Sequence, residues 1–480
     1  MPGDPSGRRA WKVPVGLAAL VLLLVCAGSP SVAAPSAPGA LPHAAKSAHL
    51  GCGPTAGQGQ APWPVFGGNP THSQEGVGTT KRAGALSREW ETAPLDGALY
   101  GEVLVAGGCV FAATEGDSVY AFSSATGAPV WRTHLATPVR SGLPCGDISP
   151  SGITGTPVLD AERGELWVVV LTEVAGRPEH EAVALAARSG KVLRRQGFVL
   201  PGTDPAAEQQ RAALQLEDGN VYVALGGLYG DCGNYKGAVV SVPEMAGRPL
   251  SYWSTPTARE GAVWEVGGPD VLAGGDLLLA PGNSSASPGQ AFDGGDAVIK
   301  LSPALRQAAY FAPSSWAQWN VSDLDLGSTG PAVLPGGLAF QVGKAGTGFL
   351  LRVPHLGGIG GQLASTSVCS GGGAYGADAV SGSTIFVPCT GGLAAVRVAG
   401  RSMGVLWRSG AGGPGSPLLA GGRLFEETEA GELLALNPAN GRVLQSLSLA
   451  APVTHFPWVV AVGGSLYAAD GKRVVALRGV

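Results

Sequence analysis

The sequence predicts an all-β fold, an eight-bladed β-propeller of four-stranded blades in which an N-terminal strand completes the last blade. Three observations predict it. The 480 residues include 77 glycines and 37 prolines, spread along the chain between runs of Val, Leu and Ala, which calls for many turns and few long helices. One unit recurs: Leu104 to Trp131 and Leu418 to Leu444 each run apolar strand, Gly-Gly, strand, acidic turn, strand, Gly turn, fourth strand. The second strand of that unit can be followed eight times, at Val110, Trp167, Tyr222, Leu278, Ala339, Phe386, Phe425 and Tyr467, with the spacing of propeller blades.

In chain order, residues 1–34 read as an export signal. Arg8, Arg9 and Lys12 form a basic region, Val13 to Gly28 is apolar, and Ser31-Val32-Ala33 and Val32-Ala33-Ala34 offer small-residue cleavage sites. The apolar run is short for a span, so no stable membrane span is expected after cleavage; a retained anchor is the alternative. Residues 35–62, rich in Ala, Pro, Gly and Ser, read as a flexible linker. The propeller occupies 63–480. Its last unit supplies only three strands before the chain ends, and Ala85 to Thr92 offers the fourth, which would close the ring and remove its open edge. The expected location is secreted or extracytoplasmic, in the cell envelope, and the expected state is a monomer.

Within the units, an Ala and a turn Gly six residues later recur as Ala121/Gly127, Ala184/Gly190, Ala394/Gly400 and Ala435/Gly441. Trp90, Trp131 and Trp407 fall at or near fourth strands and read as packing pegs between blades. His134, His180, His355 and His455 share no pattern and read as loop or surface residues. Seven cysteines occur; Cys26 would leave with the signal, and the even remainder in an exported chain predicts disulfides. Without a CxxC or a His pair at ligand spacing, zinc is not expected. Cys145 and Cys232 sit in two loop motifs and are expected to pair across neighbouring blades. Cys369 and Cys389 flank one hairpin-like unit, which leaves Cys52 with Cys109. The net charge of −4 and the absence of a basic cluster give no support for nucleic-acid binding. No Rossmann fingerprint, P-loop or GxSxG motif is present.

Three stretches are richer than a generic blade: Cys145 to Pro157, Tyr229 to Gly237, and the run from Pro281 through Asp296, Asp323 and Asp325 to Gly346. With the opening Trp63-Pro64-Val65-Phe66-Gly67-Gly68-Asn69 and the segments GDAVIKLS, DLDLGSTGP and GKAGTGFLL, the pattern resembles the quinoprotein alcohol dehydrogenase-like superfamily over nearly everything from Trp63 to Val480. The resemblance implies an axial site for pyrroloquinoline quinone (PQQ) and calcium. Asn283 matches the family's Asn calcium ligand, and Asp325 its catalytic base and a further calcium contact. Lys344 matches the basic residue that touches the cofactor. Hard oxygen donors suit calcium, which would polarise the quinone while a carboxylate takes the alcohol proton. The departures are equally specific. The family's Glu ligand falls near Asp231, the adjacent Cys-Cys pair is absent, and the floor Trp falls near Val266-Gly267 with Trp264 out of register. Asn283, Asp323 and Asp325 also read as turn and loop-amide partners, and Asp293 and Asp296 as turn residues. The sequence thus predicts a ligand- or partner-binding protein without retained catalysis, for an unknown small ligand or protein. A PQQ- and calcium-dependent dehydrogenase of an alcohol or sugar is the alternative, and an envelope assembly scaffold is a third.

Overall fold

A computed structural model describes residues 61–79 and 84–480. The predicted signal, nearly all of the linker, and Cys52 lie outside the described residues. Eight sheets, antiparallel except for one short parallel strand added to the fourth, follow one another along the chain, and all eight sequence-predicted second strands fall in the second strand of their sheets. Blade 1 is typical: Leu104–Ala106, Cys109–Ala113, Ser118–Ser123 and Pro129–His134, hydrogen-bonded in that order. Blades 2 to 7 span 158–198, 215–254, 270–312, 332–367, 379–408 and 418–448. Blades 3 and 4 each gain a short extra strand, Glu208–Gln209 and Gly358–Ile359. Among the described residues no helix is long and apolar enough to cross a membrane.

The sequence of each strand follows its radius. The second strand of blade 1, CVFAA, is buried at every residue because neighbouring blades cover both of its faces. The outer strand PVWRTH alternates between exposed and half-buried residues, as a rim strand should. Closure occurs as expected. Blade 8 runs from Val459 to Arg478, and Ser87–Glu91 adds to it antiparallel, with Ser87 opposite Arg478 and Glu91 opposite Val475. The rim pairs Arg478–Glu89 at 2.7 Å and Arg473–Glu91 at 2.8 Å decorate this seam. Exposed pairs contribute little; the larger effect is that no strand edge remains between the first and last blades.

The predicted pegs are the contacts between blades. Trp90 of blade 8 donates its Nε1–H to Ser124 O (2.9 Å) in blade 1. Trp131 of blade 1 donates to Ala187 O (3.0 Å) in blade 2, and Trp407 of blade 6 to Pro438 O (2.9 Å) in blade 7. Each ring lies on the next blade's turn glycine. A Cβ on Gly127, Gly190 or Gly441 would come within 2.5–2.6 Å of the indole, and all three have φ near +67°. The repeated Ala-to-Gly spacing therefore marks a docking socket. Gly400, the fourth glycine of the spacing, does not share this turn: it lies in a tight hairpin in which Ala399 faces Ser402, and it has nothing within 4 Å, since the outer strand of blade 5, ASTS, carries no Trp. One reading fails: His180, taken as a surface residue, is 2% exposed in a central strand of blade 2 and stacks on Phe198. Strand alternation puts its ring into the space between blades, a register that isolated histidines do not announce.

The segment from Trp63 to Val77 runs inside the ring. It exchanges backbone hydrogen bonds with the innermost strands in turn: Trp63 with Val105, Pro64 with Leu159, Pro70 with Val271, Ser73 with Val380, Gln74 with Leu419 and Val77 with Ala461. This belt places Phe66 on the axis against Ala213, Val266 and Ala377, with Phe456 packed on the group. Several of its polar groups find buried acidic partners, though Gln74 Oε1 has none. Glu102 accepts from Trp63 Nε1, Gly67 N and Gln74 Nε2, and His72 pairs with Asp270 at 2.9 Å.

Candidate functional site

The up-and-down order of each blade puts two sets of loops on one face: those that lead from one blade to the next, and those that join second to third strands. Asn283, Lys344, Asp231 and Cys232 lie in second-to-third-strand loops. Asp325, Cys145 and Cys369 lie in loops between blades, and Cys389 ends a second strand. Residues far apart in sequence therefore share a face, and two disulfides fix its loops. Cys145–Cys232 (Cα–Cα 6.1 Å) ties the blade 1–2 connection to blade 3, and Cys369–Cys389 (5.5 Å) ties the blade 5–6 connection to blade 6. Both pairings are as the sequence predicts. Cys109 is also disulfide-bonded.

Asn283, Asp325 and Lys344 meet. The backbone N–H of Asn283 donates to Asp325 Oδ1 at 2.6 Å, and Lys344 Nζ lies 2.6 Å from Asp325 Oδ2. Asp323, held at φ +52°, accepts from both Lys344 Nζ (2.7 Å) and Asn283 Nδ2 (2.9 Å). Gly282 permits this approach, since a side chain there would strike Asp325 Oδ1. Burial pushes the Asp325 carboxyl above its ordinary range; Lys344 pulls the other way without offsetting it. For Lys344, burial favours the neutral amine, but Asp325 and Asp323 together outweigh it and hold the ammonium above its usual range.

Sequence reasoning gave three neighbours no place in the site: it noted Asp296 and Trp264 without a role there and did not mark Tyr375. Asp296, read as a turn residue, is fully buried; it accepts from Leu326 N at 2.8 Å and its Oδ2 has no partner. Burial first and Asp325 second drive its pKa well up. Trp264, two residues short of the register the resemblance implied, is the aromatic that reaches the site, with its ring 5.9 Å from Lys344 Nζ. Tyr375, whose pKa is raised by burial and tuned by Lys344, Asp323 and Asp325, stacks on Phe456 at 5.5 Å. Its only sequence signal was its position just before an inner strand. Asp231 stands apart: its carboxylate accepts from Tyr235 Oη at 2.5 Å.

The opposite wall of the same face is built by blades 1, 3 and 8. Arg211, 7% exposed, lies over the Tyr100 ring (5.6 Å) and donates to His455 O at 3.3 Å. Burial lowers its pKa to about 10. His455 pairs with Asp147 at 3.2 Å. A cleft of about 400 Å³ opens here, lined by Tyr100, Thr454, His455 and Lys472 among others; Asn283, Asp325 and Lys344 do not line it.

A calcium ion does not fit the cradle as it is built. Both Asp325 oxygens are engaged, Asp323 Oδ1 is shared by two donors, and the Lys344 ammonium occupies the space between the two carboxylates. Asn283 Oδ1 is the cradle amide oxygen left without a partner, against the six or more oxygens, roughly, that calcium takes. Among the described residues no group of three His, Cys, Asp or Glu side chains could hold a metal.

A family model described as outer membrane protein assembly factor BamB, of the PQQ-repeat type, matches residues 84–228 and 356–479, more than half of the chain. The chain belongs to this family. The BamB-type repeats place it in the quinoprotein alcohol dehydrogenase-like superfamily, as the sequence suggested. Solved structures share the fold. The quinohemoprotein alcohol dehydrogenase from Comamonas testosteroni aligns at TM-score 0.69 and 14% identity, over 87% of this chain and 80% of that one. A europium-containing methanol dehydrogenase aligns at 0.62 and 15%, over 85% and 89%. BamB from Moraxella catarrhalis aligns at 0.59 and 12%, over 82% of this chain and 100% of that one. No curated protein sequence matches. The cradle residues Asn283, Asp325 and Lys344, with Asp231, all lie between the two matched BamB-type segments.

Proposed function

We propose that this protein is an exported, non-catalytic propeller whose loop face binds a small ligand or a protein partner in the cell envelope. One observation carries the reading: Lys344 is inserted between Asp323 and Asp325, so the carboxylate that would act as a base is already hydrogen-bonded at both oxygens. A general base must come within hydrogen-bond reach of the substrate proton, and Asp325, 6% exposed and covered by the ammonium, is screened from one. Two further features support it. Phe66 and its apolar neighbours fill the axis beneath the loops. Disulfides on the loop face suit an oxidising compartment, in keeping with the export signal read in residues 1–34. What the face offers a partner is a rim braced by two disulfides, with half-buried aromatic rings (Tyr100, Trp264, Tyr375). The rigidity lowers the entropic cost of binding. An assembly role, like the one in the family's description, is the form of this reading in which the partner is a protein.

The test is to incubate the purified protein with PQQ and calcium, then follow its melting temperature and dye reduction with a panel of alcohols and sugars. The expected result is no turnover. Quinone- and calcium-dependent dye reduction that Asp325→Ala abolishes would overturn the reading in favour of a dehydrogenase.

A further inference from the structure

The cradle of blades 4 and 5 is built like a cation seat and already has an occupant. Its acids lie at different depths: Asp325 is 6% exposed and Asp296 behind it is fully buried, whereas the Asp323 side chain is 71% exposed. Two carboxylates, Asp323 and Asp325, converge on one point, with the Asn283 side-chain oxygen buried and unpartnered beside them. Asp296 Oδ2 is likewise buried and unpartnered, and it is electrostatically coupled to Asp325, Lys344 and Asp323. Asp325 has lost most of its hydration and faces the Asp323 carboxylate, so a positive charge between the two stabilises the pairing of their loops. In the structure that charge is covalently attached: Lys344 Nζ lies 2.6 Å from Asp325 and 2.7 Å from Asp323, backed by the Trp264 ring at 5.9 Å. The backbone presents it, since Lys344 N donates to Asp325 O at 2.9 Å and so locks the turn that carries the side chain to the turn it neutralises.

We propose that the Lys344 ammonium is a built-in cation, holding the seat between Asp323 and Asp325 that a divalent ion would otherwise fill, so that these loops assemble without metal. The inference deepens the non-catalytic reading but concerns the cation seat alone. A tethered ammonium offers one charge and three donors but no open coordination position. It satisfies the carboxylates without creating a Lewis acid, and its local concentration does not depend on the ionic composition of the compartment.

Removing the ammonium should open the seat. In Lys344→Ala or Lys344→Gln, the carboxylates with Asn283 Oδ1 form an oxygen-donor set that takes calcium, and terbium in its place. Trp264, close by, would sensitise terbium emission. The experiment compares the full chain with Lys344→Ala, Lys344→Gln, Lys344→Arg and Lys344→Ala/Asp325→Asn, reading tryptophan-sensitised terbium emission and the calcium dependence of the melting temperature. Magnesium is the control, and circular dichroism checks the fold. Wild type and Lys344→Arg are expected to show neither signal. The neutral variants should gain saturable terbium emission and a calcium-dependent rise of at least about 2 °C, and the double variant should lose both. Saturable terbium or calcium uptake by wild type overturns the inference and needs no variant to be seen. Folded neutral variants that gain nothing overturn it as well. The non-catalytic reading fails on a different measurement, quinone-dependent turnover.

Discussion

His180 shows how one buried side chain makes stability depend on pH. It sits in a central strand of blade 2, 2% exposed, with no partner for its Nδ1, and burial drags its pKa down to about 4. The unfolded chain takes up the proton near pH 6.5 while the fold refuses it, so this residue costs stability as pH falls from about 6.5 towards 4. His180→Leu should remove that slope. Urea denaturation at pH 7.5 and 5 is expected to show the variant gaining on wild type by about 2 kcal/mol at the lower pH. An unchanged difference between the two pH values would mean that the ring is solvated in solution. Nothing in the sequence around His180 marks it, because whether a strand residue faces a neighbouring blade depends on register and ring closure.

At the level of the element, the peg and socket between blades make a paired prediction. Gly190 and Gly400 join third to fourth strands in different turns but share a left-handed φ, +67° and +61°, and only Gly190 carries a tryptophan, Trp131, on its Cα. Gly400→Ala should cost about 1 kcal/mol, the backbone penalty alone. Gly190→Ala adds a clash with the indole and should cost about 3 kcal/mol in all. Chemical denaturation of the two variants isolates the contact between blades 1 and 2; equal losses would mean that the peg is not a significant part of that interface. This device was readable in advance. The Ala-to-Gly spacing and the tryptophans of fourth strands are local patterns, repeated because every interface between blades poses the same packing problem. The cradle was only half readable. Asn283, Asp325 and Lys344 could be picked out because each matches a motif of the family that the sequence resembles. Asp296 and Trp264 could not, because their part comes from which blades adjoin and how far each loop tilts.

For the whole molecule, the notable feature is how much acid the ring encloses. Burial raises Glu102, Glu115 and Glu208 to about 7 and Asp117 to about 9, and drives Glu265, Asp378, Glu426 and Glu427 well above the carboxylate range. Each of these groups keeps its proton in the fold at a pH where the unfolded chain has lost it. Their contribution is fully present below about pH 4.5 and is lost as pH rises through about 7 for the glutamates and about 9 for Asp117. Several such groups outweigh the opposite slope of His180. The urea midpoint is therefore expected to be higher at pH 5.5 than at pH 9, measured at constant ionic strength. A midpoint that rises over this range would mean that waters or ions satisfy these carboxylates in their charged form.

The sequence by itself determined the repeat, its number, the closure by Ala85 to Thr92 and both disulfides that the structure describes in full. The repeat, its number and the closure follow from short-range periodicity and from the need of a four-stranded blade to cover both its faces; the disulfides follow from an even cysteine count and the loop motifs that hold them. Only the tertiary structure decided what the axis contains. The belt from Trp63 to Val77 and the Phe66 plug depend on residues brought together from opposite sides of the ring, and the ammonium of Lys344 between two aspartates on loops of adjoining blades. A blade's own sequence constrains its strands and its neighbours' strands, because those contacts recur. The centre of the ring is met by every blade and repeats none of them, so its chemistry becomes legible only once the ring has closed.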